Sequence, residues 1–176
     1  MSFALWLTGL PSAGKSTIAS IVECELRERG ERVELLDGDL VREGLCRGLG
    51  FSKEDRDENI RRIALVADLL SRNGVYAVVA AISPYREARE AARALMGERF
   101  IEVHVKASVQ ECARRDVKGL YQKAFRGEID GFTGVSDPYE EPLAPELELD
   151  TERDTPEQSA AKLLAFLDLR LEAVAA

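Results

Sequence analysis

The 176-residue chain lacks any long apolar run. Asp, Glu, Lys or Arg interrupts every hydrophobic stretch well before the roughly 18 residues that a membrane span needs. No basic stretch followed by an apolar one opens the sequence, so neither a secretory leader nor a membrane partner is expected. Cysteine is scarce. Cys24, Cys46 and Cys112 are odd in number, far apart and without C-x-x-C spacing, which excludes a legible zinc site or disulfide framework. Reduced thiols in a cytoplasmic protein are the expectation. A surplus of positive charge is missing too. At a net charge of −8 the chain as a whole repels phosphate backbones, so nucleic acid is not expected as a partner. No internal repeat or low-complexity tract appears. What remains is one domain, 1–176, with an ordinary apolar content of 45%.

Short apolar runs alternate with longer amphipathic ones. Strands are predicted at Phe3–Thr8, Val33–Leu36, Val75–Ile82, Phe100–Lys106 and Leu147–Asp150. Between them, helices are predicted over Lys15–Arg29, from the cap Ser52 to about Asn73, over Pro84–Met96 and over Val109–Arg115. A last helix is expected to begin at Thr155-Pro156, with Gln158 three residues beyond the cap. Strand–helix alternation with nearly continuous apolar strands implies an α/β fold: a five-stranded parallel sheet with helices on both faces. The stretch Lys118–Pro145 is rich in Gly and Pro and has no clear period. A loop of that length in a compact domain reads as a lid.

One motif carries specific chemistry. Gly9-Leu10-Pro11-Ser12-Ala13-Gly14-Lys15-Ser16-Thr17 matches G-x-x-x-x-G-K-[ST] in full, between a predicted strand and a predicted helix. Its glycines let the backbone wrap phosphate oxygens, and the helix N-terminus supplies partial positive charge. Lys15 is expected to reach the β- and γ-phosphates of ATP, and the Ser16 hydroxyl to ligate Mg²⁺. The motif alone does not choose between kinase, GTPase and motor. An N-K-x-D guanine-reading segment is absent, and the strand Val75–Ile82 runs into Ser83-Pro84 rather than an acidic residue. A small P-loop kinase fits those absences.

Three further clusters point to the phosphate acceptor. The second strand ends in Asp37-Gly38-Asp39 with Arg42 close behind, at the carboxyl edge where parallel sheets bind ligands. Two carboxylates there suit holding metal waters or taking a proton from an attacking hydroxyl. A solvated Asp-Gly turn is the bland alternative. Arg56 and Asn59 lie three apart on one helix face, suited to an anionic oxygen pair and to a base edge or ribose. Phe51 either stacks on a flat ring or staples the helix start. At least one of Arg61 and Arg62 reads as a solvated face paired with Asp57 and Glu58. Between Arg114 and Arg126 stand five basic residues against the single acid Asp116, as suits a lid closing over anions.

With Gly9 to Thr17, and in this order, the blocks Asp37-Gly38-Asp39 with Arg42, Gly48-Leu49-Gly50-Phe51-Ser52, Asp55-Arg56, Glu58-Asn59-Ile60-Arg61-Arg62, Ile82-Ser83-Pro84, Asp116-Val117-Lys118-Gly119-Leu120-Tyr121, and Gly131-Phe132-Thr133-Gly134 with Asp137-Pro138-Tyr139-Glu140 resemble the adenylyl-sulfate kinases over nearly the whole chain. The resemblance implies a P-loop NTPase fold and transfer of the ATP γ-phosphate to the 3′-hydroxyl of adenylyl sulfate. It implies that Phe51 and Phe132 sandwich the acceptor adenine and that Arg42 and Arg56 hold its phosphosulfate. Asn59, Ile82 and Ser83 would fix the nucleoside. Lys118 and the rest of a mobile lid, about 114–140, would close over both nucleotides, with Arg114 on the ATP side. The catalytic set is then Lys15, Asp37, Asp39 and Ser83, the last resembling a serine the family describes as a phosphoserine intermediate. Direct in-line transfer needs no such third role. Small nucleotides are the implied partners, with a homodimer as the assembly allowed. The chain departs from the family pattern at Leu40 and at Ala80-Ala81, beside the acceptor residues.

Overall fold

The computed structural model describes residues 2–175. Five strands, β1 (Ala4–Thr8), β2 (Val33–Asp37), β3 (Tyr76–Ala80), β4 (Phe100–Lys106) and β5 (Leu147–Asp150), form one sheet in the order β2-β3-β1-β4-β5, with every pairing parallel. Seven helices connect or flank them: α1 (Lys15–Glu28), α2 (Gly38–Glu43), α3 (Lys53–Arg72), α4 (Arg86–Met96), α5 (Val109–Arg115), α6 (Leu120–Phe125) and α7 (Pro156–Ala175). A parallel sheet forces each crossover over one face, and both faces are covered here.

The period-two alternation of β1 divides its side chains between two cores. Phe3, Leu5 and Leu7 pack with Ile18, Val22 and Leu26 of α1 and with Leu163 and Leu167 of α7. Ala4 and Trp6 face the other way, onto Ile60, Ile63 and Ala67 of α3 and Ala92 and Met96 of α4. The helix ends follow their predicted caps. Ser52 accepts from the Asp55 N–H at 3.1 Å. Thr155 and Gln158 exchange both bonds of a capping box, at 2.9 and 3.2 Å.

Two expectations need correcting, and the bland alternative for Asp37–Asp39 falls. β3 stops at Ala80 rather than Ile82, because the register ends there: Ala80 pairs with Leu7 on one side and with Asp37, the last residue of β2, on the other. The Asp-Gly-Asp segment is not a plain turn; Asp37 caps α2 by accepting the Asp39 N–H at 3.0 Å. Nor is the glycine-rich stretch irregular throughout. Asp116 accepts the N–H groups of Tyr121 and Gln122 at 2.9 and 3.1 Å, and that nucleates α6.

Candidate active site

Both nucleotide-like elements open onto one cleft of about 720 Å³ at the carboxyl edge of the sheet. At one end lies the loop between β1 and α1. Its path is set by close approach: a Cβ on Gly9 would stand 2.4 Å from the Val105 carbonyl oxygen, so only glycine fits. Gly14, at φ 109°, begins α1 without a side-chain cap, which leaves the N-terminal N–H groups facing the cleft. Lys15 curls over the loop and donates to the carbonyls of Gly9 (2.8 Å) and Leu10 (2.7 Å). Burial lowers its pKa to about 8, against the pull of the nearby Asp37 and Asp39 carboxylates.

The back of the loop is braced by residues that no motif announced. Arg115 and Thr151 both donate to the Ala13 carbonyl, at 3.3 and 2.8 Å, and the Tyr121 hydroxyl donates to Pro11 at 3.1 Å. Arg115 also bonds the Thr151 carbonyl at 2.6 Å. The sequence reading placed Arg114 on the ATP side instead. In the structure Arg114 is largely exposed, forks onto Glu111 of its own helix and does not line the cleft. The helical period decides between the neighbours: one turn of α5 brings residue 115 to the loop and sends residue 114 to solvent.

Between the cradle and the far end stand the two carboxylates. The Ser16 hydroxyl donates to Asp37 at 2.6 Å, while Asp39 is exposed and paired with Lys118 of the lid segment. A hydroxyl against a carboxylate is a hard-oxygen donor set that fits Mg²⁺, which keeps several waters and takes phosphate oxygens as its other ligands. Among the described residues no cluster of three or more His, Cys, Asp or Glu side chains forms an all-protein metal cage.

At the far end Phe51 is 65% exposed, so it does not staple α3. Its ring lies under two guanidinium groups, Arg42 at 4.6 Å and Arg56 at 5.9 Å from the centroid. Arg42 bonds the Gly50 carbonyl at 3.0 Å, and its pKa is lowered first by burial and then by the neighbouring Arg56 charge. Arg56 stands 3.4 Å from the Asp137 carboxylate and donates to the Phe51 carbonyl at 2.8 Å, so part of its fork is already engaged. Arg56 also reaches the stretch after α6: it donates to the Thr133 hydroxyl at 2.6 Å and to the Gly131 carbonyl. Phe132 also lines the cleft, mostly buried and edge-on to Tyr121 at 5.0 Å. Asn59 lines the cleft with a buried Oδ1 that has no hydrogen-bond partner, an acceptor suited to a donor brought by a ligand.

Ile82 and Ser83 form the wall beyond β3. The resemblance placed Ser83 in the catalytic set, and the structure puts it in the cleft wall. Ser83 is 1% exposed, and its hydroxyl accepts the Trp6 indole N–H at 3.0 Å, so it is built into the wall rather than aimed at a nucleotide. Arg61 and Arg62 pair with Glu58, as a solvated face should. No helix among the described residues is long and apolar enough to cross a membrane.

Comparison with known proteins agrees with this geometry. Residues 1–150 match the family model described as adenylylsulphate kinase. An adenylyl-sulfate kinase of Halothermothrix orenii is 56% identical over 164 residues, covering 93% of this chain and 88% of its own. One from Rippkaea orientalis is 57% identical, covering 93% and 90%. Among solved structures, the APS kinase of Mycobacterium tuberculosis in complex with AMPPNP and APS superposes with a TM-score of 0.90 at 45% identity, covering 95% of this chain and 98% of that one. A sugar kinase from Janibacter, at 21% identity and a TM-score of 0.66, shares the fold. With a family model over most of its length and relatives above half identity, the chain belongs to the adenylylsulphate kinase family of P-loop kinases.

Proposed function

We propose that this protein transfers the γ-phosphoryl group of ATP to the 3′-hydroxyl of adenylyl sulfate, releasing ADP and 3′-phosphoadenylyl sulfate. The observation that carries the reading is the single cleft. It joins a complete phosphate cradle at one end to an aromatic ring, two guanidinium groups and an unpartnered amide oxygen at the other. Lys15 and the N–H groups of the Gly9–Thr17 loop hold the β- and γ-phosphates. Phe51 and Phe132 take the acceptor adenine from two sides, Arg42 and Arg56 take its phosphosulfate, and Asn59 accepts from its base or ribose.

The two carboxylates divide the remaining work. Both oxygens of Asp37 are engaged, by Ser16 and by the Asp39 N–H, so Asp37 serves the metal side. Ser16 and Asp37 would hold a Mg²⁺ ion there, which would supply charge neutralisation at the phosphate oxygens. Asp39 is held only by Lys118 on its side chain. When Lys118 turns to the phosphates, Asp39 is left to orient the 3′-hydroxyl and take its proton. Residues 114–140 act as the lid of this one kinase domain, excluding water during transfer. The cytoplasm, as part of sulfate assimilation, is the setting that fits.

The test is ADP release from Mg-ATP as adenylyl sulfate is raised from low micromolar concentrations. Turnover that depends on adenylyl sulfate is expected. ATP binding without such turnover would leave the cradle standing and reject this acceptor.

A further inference from the structure

The wall of the cleft beyond β3 is strained. Ser83 sits at φ 48°, a left-handed conformation that side-chain-bearing residues rarely adopt without surrounding restraint. Its restraint comes from Arg89 of α4, which is 2% exposed and does not itself line the cleft. All three faces of its guanidinium are used. Nη1 donates to the Ser83 carbonyl at 2.5 Å, Nη2 to the Glu140 carbonyl at 2.7 Å, and Nε to the Glu102 carboxylate of β4 at 2.7 Å.

These acceptors belong to three separate parts of the molecule: the cleft wall, the C-terminal root of the 114–140 segment, and the sheet. The wall and the root are also joined directly. The Glu140 N–H donates to the Pro84 carbonyl at 2.8 Å, and the Glu140 carboxylate accepts the Arg86 N–H at 2.7 Å. Glu102 is fixed in turn, by Arg93 at 3.2 Å and by its own N–H, which donates to Glu146 at 2.7 Å. The fork therefore pivots on an anchored carboxylate.

We propose that Arg89 is a positioning residue that couples the root of the lid to the acceptor wall. A displacement of the Glu140 carbonyl is passed through the rigid guanidinium to the Ser83 carbonyl, so the wall takes its working shape when the lid root is seated. A buried ion pair is a poor source of net stability compared with apolar packing. A planar fork with fixed angles, by contrast, holds two backbone carbonyls in one relation, which a lysine ammonium cannot do. The inference rests on reading this end of the cleft as the acceptor site.

The deciding experiment is amide hydrogen exchange on the free protein, comparing wild type with Arg89→Lys. A double variant, R89M with E102Q, leaves no lone charge buried and serves if the single variant does not fold. Exchange in 81–85 and in 139–142 is expected to rise together, by roughly tenfold, with 10–17 unchanged. A rise confined to one of the two segments, or to α4, overturns the coupling. Kinetics supply the second arm. The KM for adenylyl sulfate is expected to rise roughly tenfold while that for ATP stays within about twofold. An unchanged acceptor KM overturns the proposal. Absence of adenylyl-sulfate-dependent turnover in the wild type would instead reject the functional reading, with the exchange data still deciding the coupling.

Discussion

Nine consecutive residues, Gly9 to Thr17, make up the phosphate cradle, and its lysine is satisfied by carbonyls five and six positions away. The acceptor end is drawn from distant places: Arg42 from α2, Phe51 from the loop before α3, Arg56 and Asn59 from α3, Phe132 from the lid segment. The contacts that join it to the lid span 75, 77 and 79 residues. A local motif can bind phosphate wherever a strand meets a helix. A site of this second kind exists only when the chain is folded and the Gly131–Thr133 stretch is brought onto α3. Substitutions should therefore separate the two ends, the cradle controlling transfer itself and the acceptor end controlling which molecule receives it.

The largest effect is expected at the cradle. Lys15→Ala should lower kcat roughly 10³-fold, since it removes the buried cation of the cradle. Retention of a tenth of the wild-type kcat would mean that the backbone N–H groups suffice. Next in size come the carboxylates between the ends. Asp39→Asn should lower kcat roughly 10²-fold with ATP affinity little changed. Asp37→Asn should also lower kcat but raise the Mg²⁺ concentration needed for half-maximal rate. Unchanged turnover in both would sink the division of roles. At the acceptor end, Arg56→Lys keeps the charge and loses the fork. The KM for adenylyl sulfate should rise roughly tenfold, as expected for one lost charged hydrogen bond, while the KM for ATP holds. Equal rises in both constants would erase the contrast between the ends.

A pH series sharpens the contrast from the other side. Lys15 has a pKa of about 8, lowered mainly by burial, against 10.5 for an exposed lysine. Between those values the unfolded chain binds more protons than the folded one, so this group makes the free protein more stable as pH rises from 8 to 10.5. ATP binding has the opposite sign, because phosphates favour the charged lysine. The ATP Kd should rise above pH 8, by at most about tenfold per unit, and the slope should vanish in Lys15→Ala. A flat Kd between pH 7 and 9.5 would show that Lys15 is charged throughout.

What the sequence made legible divides along the same line. The order of strands and helices, the cradle and the caps at Ser52 and Thr155 rest on patterns within a few residues, and these were readable. The six-residue helices α2 and α6 were missed. Each is too short for a hydrophobic period, and each is nucleated by one aspartate, Asp37 or Asp116. Choosing Arg114 over Arg115 for the cradle failed because adjacent residues of like charge differ only in which side of α5 they leave from. Arg89 carried no signal at all, since in α4 it reads as one more charged position on an exposed amphipathic helix. The residues at the far end of the cleft could be grouped only through family resemblance, because tertiary contacts of 75 residues and more leave no local pattern to read.

The smallest effect is expected at Ser83, and it tests whether the acceptor wall does chemistry or only gives shape. A hydroxyl that becomes phosphorylated must meet the γ-phosphate in line, with a base beside it to take its proton. The Ser83 hydroxyl instead accepts from Trp6 at 3.0 Å and lies 3.4 Å from the Ala81 carbonyl, in a residue only 1% exposed. Ser83→Ala should therefore keep kcat within about threefold. It should also lower stability by roughly 1–3 kcal/mol, because the buried indole N–H loses its acceptor. Trp6 is the only tryptophan in the chain, so its emission reports that loss directly. A hundredfold fall in kcat with unchanged emission would place a phosphoserine in the pathway. A shifted emission spectrum with near-normal turnover would mark Ser83 as the hinge pin of a wall that Arg89 and Trp6 hold from behind.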